Sequence, residues 1–362
     1  MEQINELSSM LNEHFNWNKA RMNCFVGMLL ALLSTRSINL TELAMAFPSK
    51  ANLNSRYRRI QRFITDYSPS FDKVAWFIMG LFNFLNTDYY LTMDRTNWRW
   101  GKKDINILVL AVAYKGAAIP IYWMLLNKKG NSSTLERKVL VNRFVTQFGK
   151  EHILGLLADR EFIGKKWFEW LKAQGIDFVI RIKKDAKTTN SQGQKLQVQH
   201  LFRFLKVGEK QSIQDLRKIT EVGVYLTALR LDDGELLILA SSKKSEQAIE
   251  SYKERWQIET LFGDLKGRGF NLEDTHVTQR LRIKRLLIVP VIAFCWAHRT
   301  GEWQHENVKQ IKVKKHQRLA RSIFRVGLDL IRDTLFKAIH SLDCNLKPLF
   351  QFIDFNKIYV KS

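Results

Sequence analysis

At 362 residues and 46% hydrophobic content, the chain is long enough for two or three domains with a large core. Lys and Arg number 58 against 35 Asp and Glu, a formal net charge of +23, so the expected partner is a polyanion, nucleic acid ahead of a membrane surface. Three scattered cysteines, Cys24, Cys295 and Cys344, with no CxxC spacing, argue against a disulfide framework or a zinc site and for a reducing compartment. Glu2 and Glu6 stand where the basic region of a signal peptide would lie. The longest apolar runs, Cys24–Leu33 and Leu286–Ala297, fall short of the ~18 residues of a membrane span and read as core helices. The expectation is a cytoplasmic protein with no membrane partner.

Residues 1–87 read as a helical N-terminal domain. Glu2–Phe15, Lys19–Ser34 and Phe71–Leu85 carry helix-period apolar positions. Between them, Asn39-Leu-Thr-Glu42 resembles a capping box, and the helix it opens ends at Phe47-Pro48. The next helix, about 54–65, sets Tyr57, Ile60, Phe63 and Ile64 on one side and Arg58, Arg59 and Arg62 on the other. This pair fits a helix-turn-helix-like DNA reader, or a small bundle with a solvated basic face.

From Tyr89 the pattern turns to strands. Tyr89–Asn97, Ile105–Tyr114 and Ala118–Leu126 are followed by a helix at Leu135–Phe148 that is capped by Asn131-Ser-Ser-Thr134. Then come a short strand at Ile153–Ala158, a helix at Gly164–Gln174 and a strand at Asp177–Lys183. The order β-β-β-α-β-α-β predicts a mixed sheet covered by helices, the ribonuclease-H arrangement, over residues 88–275. Residues about 185–243 interrupt it as a β insertion, in which Asp232-Asp233-Gly234 signals a hairpin. Residues 276–362 read as a helical C-terminal region for DNA binding and possible dimerisation. Its long apolar stretch Val277–Arg299 is interrupted by Pro290. After it come Lys309, Lys312, Lys314, Lys315, Arg318, Arg321 and Arg325, with no acid in 307–325. The last three arginines would share one helix face, which suits phosphate tracking as well as a plain solvated face.

One predicted helix, about 246–266, stands out. At about 100° per residue, Tyr252, Arg255, Glu259 and Lys266 fall within an arc of about 60°, while Ile258, Leu261 and Leu265 lie on another face. Two other acids sit at strand ends, Asp94 after Met93 and Asp159 after Ala158. In the expected sheet the first and fourth strands are neighbours, and the late helix packs across their ends. Asp94, Asp159 and Glu259 would then meet at one point. Such carboxylates repel unless cations neutralise them, and oxygen-rich clusters of this kind take Mg²⁺ or Mn²⁺. Two ions would suit phosphoryl transfer. Glu161 is a rival ligand; Asp264 lies on the far side of the helix. No GxSxG, HExxH or Walker GxxxxGK[ST] sequence occurs, so no nucleotide cofactor is expected.

Tyr252-Lys-Glu-Arg255-Trp-Gln-Ile-Glu259 followed by Lys266 matches the Y-(2)-R-(3)-E-(6)-K signature. In this the chain resembles bacterial insertion-sequence transposases of the DDE class, closest to the insertion-sequence-four family of cut-and-paste, hairpin-forming enzymes. Asp94-Arg-Thr-Asn-Trp98 and Leu156-Leu-Ala-Asp159-Arg-Glu-Phe162 look like that family's first and second acid motifs. Leu40-Thr-Glu-Leu43 through Pro48-Ser-Lys50 looks like its N-terminal region. The resemblance implies Asp94, Asp159 and Glu259 as the metal-binding triad. The 100-residue gap between the last two agrees with an intervening β insertion. It further implies Tyr252, Arg255 and Lys266 as phosphate contacts near the transposon end, Trp256 as a candidate for stacking on a displaced base, and a homodimer that synapses two DNA ends. The first rival is a ribonuclease-H-like nuclease that only hydrolyses. The second is a non-catalytic DNA-binding regulator.

Overall fold

The computed structural model describes residues 2–315, 318–340 and 345–354. The helices at the start are α1 (Glu2–Phe15), α2 (Lys19–Thr35), α3 (Leu40–Ala46), α4 (Leu53–Asp66) and α5 (Phe71–Leu81). After them come β1 (Tyr89–Trp100), β2 (Lys103–Tyr114), β3 (Ala117–Leu125), α6 (Thr134–Phe148), β4 (Ile153–Ala158), α7 (Lys165–Ala173) and β5 (Phe178–Ile182). The helices α2 to α6 each begin on an Asn or Ser, Asn18, Asn39, Asn52, Ser70 and Ser133. The side-chain oxygen of each accepts an otherwise orphaned N–H of the first turn. Ser133 and Glu136 complete a reciprocal capping box.

The sheet is mixed, with order β3-β2-β1-β4-β5 at its heart. β1 runs antiparallel to β2 and parallel to β4, and β4 runs parallel to β5. This is the ribonuclease-H-like arrangement expected from the element order. The insertion supplies β6 (Lys187–Thr189), β7 (Lys195–Gln197), β8 (Lys210–Ser212), β9 (Arg217–Ile219), β10 (Val222–Arg230) and β11 (Leu236–Ser241). The sequence suggests an insertion merely hung on the sheet. Instead β11 pairs with β5 and β10 with β11, so the sheet continues to nine strands, and only β6–β7 stands apart. The hairpin turn falls at Asp232-Asp233-Gly234, with Gly234 at φ 81°, where a side chain would be strained.

The predicted single helix over 246–266 is broken. α8 (Ala248–Lys253) packs on β10, β11 and β5, whereas α9 (Trp256–Leu265) packs on β3, β2 and β1. A twisted sheet turns these two regions away from each other, so one straight rod cannot follow both. The joint is tightened by i→i+3 bonds, Arg255 N–H to Tyr252 O at 3.0 Å and Ile258 N–H to Arg255 O at 3.2 Å. Lys266 lies just past the end of α9 with non-helical backbone.

A short basic helix, α10 (Arg280–Leu286), and a long apolar one, α11 (Ile288–Trp303), follow, and Pro290 sits in the first turn of α11, where its missing N–H costs nothing. α12 (Ile323–His340) packs along α11 and on α2. Gly301 and Gly327 let the two long helices touch: a Cβ on Gly327 would lie 1.8 Å from Ala297 O. The basic segment before α12 is not the helix expected. Val313 and Leu319 form an isolated bridge, and Arg318 and Arg321 precede the helix that holds Arg325. Closely spaced like charges disfavour helix there, and Arg321 and Arg325 both reach Asp329. Core side chains from Leu7 to Ile353 form one continuous cluster that includes the apolar stretches of α2 and α11. Among the described residues, no single helix is long and apolar enough to cross a membrane. Cys24 and Cys295 are buried free thiols, and Cys344 lies outside the described residues.

Candidate active site

Met93 and Ala158 are register partners in the parallel pair β1–β4. The next residues, Asp94 and Asp159, therefore emerge side by side. β4 ends there, but β1 runs on for six residues to Trp100, so Asp94 is within its strand and not at its end. Asp94 Oδ1 accepts the Arg95 N–H at 2.7 Å. Burial pushes its carboxyl up to about 7, against the pull of that N–H and of Arg255, with Glu161 and Asp159 adding to the rise. Asp159 Oδ1 is buried with no hydrogen-bond partner, and the residue opens on a cleft of about 740 Å³ that also exposes Arg160, Lys183 and Lys187.

Arg255 closes the arrangement from the α8–α9 joint. Only 2% exposed, its guanidinium reaches Asp94 Oδ2 at 3.5 Å and Glu259 Oε1 at 2.6 Å, and lies over the Trp256 ring at 4.8 Å. A buried cation thus stands between two of the three predicted acids. Glu259 is half-exposed, and its carboxylate is turned to Arg255. Among the described residues, no three Asp, Glu, His or Cys side chains are gathered closely enough to hold a metal ion. The donor set nevertheless suits a hard divalent cation. Asp159 offers an unpartnered carboxylate oxygen beside Asp94, and Glu259 has open space in which to turn.

The other predicted contacts are spread out. Tyr252 is buried in a small cluster with Leu239, Ala248 and Ile249, its hydroxyl without a hydrogen-bond partner, and burial raises its phenol. It does not share an open face with the cations. Trp256 is exposed. Lys266 Nζ donates to Asn97 O at 3.3 Å and pairs with Glu273 at 2.7 Å, which holds it alongside β1 beyond Asp94. On α4, Arg58 and Arg62 are exposed, whereas Arg59 lies over Phe47 and donates to Ala20 O. Lys315 and Arg318 are exposed on the extended segment.

The sequence reading missed the frame around the acids. Arg95 grips Glu161 with two bonds of 2.7 Å and also donates to Asn106 and Asn131. Buried Arg137 donates to Ser132 O and to Glu161 O. Together they tie the loop after β3 to the loop after β4, and they occupy Glu161, the rival ligand. The signal was an arginine directly after Asp94, which a strand's alternation sends to the other face.

No curated protein matches the chain. Among solved structures, the cryo-EM structure of a piggyBac transposase synaptic complex with hairpin DNA is similar at 12% identity. It covers 98% of this chain and 82% of that one, with a TM-score of 0.46. The family model described as "Transposase DDE domain" matches residues 86–296, more than half of the chain and the span that carries Asp94, Asp159, Arg255 and Glu259. The chain belongs to the DDE-domain transposases.

Proposed function

We propose that this protein is a metal-dependent cut-and-paste transposase of an insertion sequence, of the insertion-sequence-four type with the YREK signature. It nicks the element end, forms and resolves a hairpin, and joins the freed end to target DNA. The observation that carries the reading is the convergence of Asp94, Asp159 and the Arg255–Glu259 pair where β4 ends beside β1. Asp94, Asp159 and Glu259 are the residues that would hold Mg²⁺ or Mn²⁺. Two such ions would supply Lewis-acid activation of the attacking oxygen and charge relief at the leaving oxygen. Arg255 offsets the charge of Asp94 and Glu259, and it would meet a phosphate when Glu259 turns away. Lys266 and the exposed Trp256 flank the same edge, where they would hold a phosphate and stack on a displaced base. Double-stranded terminal repeats and target DNA are the partners, in a synaptic homodimer.

The test is strand transfer in Mg²⁺ or Mn²⁺, using DNA that carries paired inverted repeats and a target plasmid. Wild-type protein should yield joined product, and Glu259→Gln should lose it by at least about a hundredfold. Hydrolysis without joined product would favour a nuclease. An unchanged Glu259→Gln variant would sink the catalytic assignment. Lys266→Ala should impair hairpin formation more than DNA binding.

A further inference from the structure

A second, larger cleft, of about 980 Å³, lies away from the acids, between the tip of the β1–β2 hairpin, the loop after β3 and the start of α10. Six cations line it, Lys102, Lys103, Lys128, Lys129, Arg280 and Lys284, against one acid, Asp104. Lys129 is paired with Asp104 at 3.2 Å and Lys128 with Glu136 at 2.8 Å. Lys102, Lys103 and Arg280 are exposed and make no ion pair among the described residues. At the hairpin tip, exposed Trp100 is fixed by stacking on His276, with ring centroids 3.9 Å apart. Lys102 and Lys103 at the hairpin tip, met by Arg280 at a helix start, concentrate positive charge that no ion pair among the described residues uses. A cleft of about 980 Å³ whose cations come from three separate segments suits a backbone of successive phosphates better than one small anion.

β1 acts as a ruler between this cleft and the acids. Trp100 is six residues beyond Asp94 on one continuous strand, a span of about 20 Å. That is about six base pairs of B-form duplex, which rises 3.4 Å per step along one strand. Lys266, bound to Asn97 O, sits halfway along, so cations follow β1 outward from the acids.

We infer that this cleft holds the sugar–phosphate backbone of duplex DNA about half a helical turn from the phosphate that reacts at Asp94, without reading base sequence. The spacing rests on the function proposed above; the binding surface does not. Arginine and lysine meeting phosphates position a duplex but carry little sequence information.

The experiment compares two triple variants with equal change in net charge. Lys102→Glu/Lys103→Glu/Arg280→Glu alters the cleft, and Lys195→Glu/Lys206→Glu/Lys218→Glu alters exposed lysines of the insertion. Binding to a mixed-sequence 30-base-pair duplex is measured by fluorescence anisotropy over a salt series, in EDTA. The slope of log K against log salt should become shallower by about 2–3 for the cleft variant, about 0.9 for each phosphate no longer neutralised, and stay near wild type for the insertion variant. Equal changes in both variants, or none in the cleft variant, would overturn the inference. Ethylation interference adds the position, measured from the nick that wild-type protein makes in Mn²⁺. The cleft variant should lose a patch about six base pairs from that nick, and loss centred on the nick would refute the spacing. Because the salt slopes are read without metal, failure of wild-type protein to cut DNA would count against the transposition reading and leave the binding result intact.

Discussion

Arg255→Met asks whether one buried guanidinium allows Asp94 and Glu259 to stand together as anions. Removing one partner of a fully buried ion pair costs about 3–5 kcal/mol, and of an exposed pair less than about 1 kcal/mol. The Arg255 side chain is 3% exposed and that of Asp94 18%, but Glu259 is 46% exposed and can turn to water. The Asp94 contact is also long at 3.5 Å. An intermediate loss of about 2–3 kcal/mol follows at pH 8. For 362 residues, an unfolding entropy near 2.1 cal/mol/K per residue gives roughly 0.8 kcal/mol per degree, so Tm should fall by about 3–4 °C. Thermal unfolding in EDTA measures it. Mn²⁺ should then restore more stability to the variant than to wild type, because the cation takes over the missing charge. In an Asp94→Asn background the same substitution should cost less. An unchanged or raised Tm for Arg255→Met in EDTA would refute the reasoning.

Other outcomes follow from the same structure. Gly327→Ala would drive a methyl into Ala297 O and Gly301 N, backbone atoms that cannot yield; a loss of about 1–3 kcal/mol or more is expected in denaturant unfolding. His298 is buried among Phe82, Tyr114 and Phe294 with both ring nitrogens unpartnered, and burial lowers it to about 4. A folded pKa below the unfolded 6.5 means its contribution is complete above about pH 6.5 and is lost as pH falls toward 4. That loss is about 3 kcal/mol, and His298→Leu should flatten this part of the stability–pH curve. Arg95→Met and Glu161→Gln should couple, with a double-mutant interaction energy of about 1–2 kcal/mol, because each loses the same two-bond fork. Additive effects would show that the fork does not hold the loops.

Much of the fold was legible because its signals are local. Asn39, Asn52 and Ser133 announce helix starts through atoms two or three residues away, and the apolar run of β2 needs no partner to be read as a doubly covered strand. The neighbourhood of Asp94 and Asp159 followed from strand order, since a β-β-β-α-β unit leaves few ways to place the fourth strand. The helix at Tyr252 misled, because periodicity assumes a straight axis and knows nothing of the sheet beneath. Arg321 and Arg325 misled for a similar reason: spacing offered them a shared helix face, but Asp329, beyond the segment, claims both.

The sequence by itself determined the element order, the signature spacing of Tyr252, Arg255, Glu259 and Lys266, and the excess of positive charge, all carried by near neighbours or by composition. Only the tertiary structure decided that Arg255 is buried between Asp94 and Glu259, that Arg95 takes Glu161, and that Lys102, Lys103 and Arg280 face one cleft. Those facts depend on side chains up to about 180 residues apart meeting in space, where burial and twist, not spacing, decide which charge finds which partner.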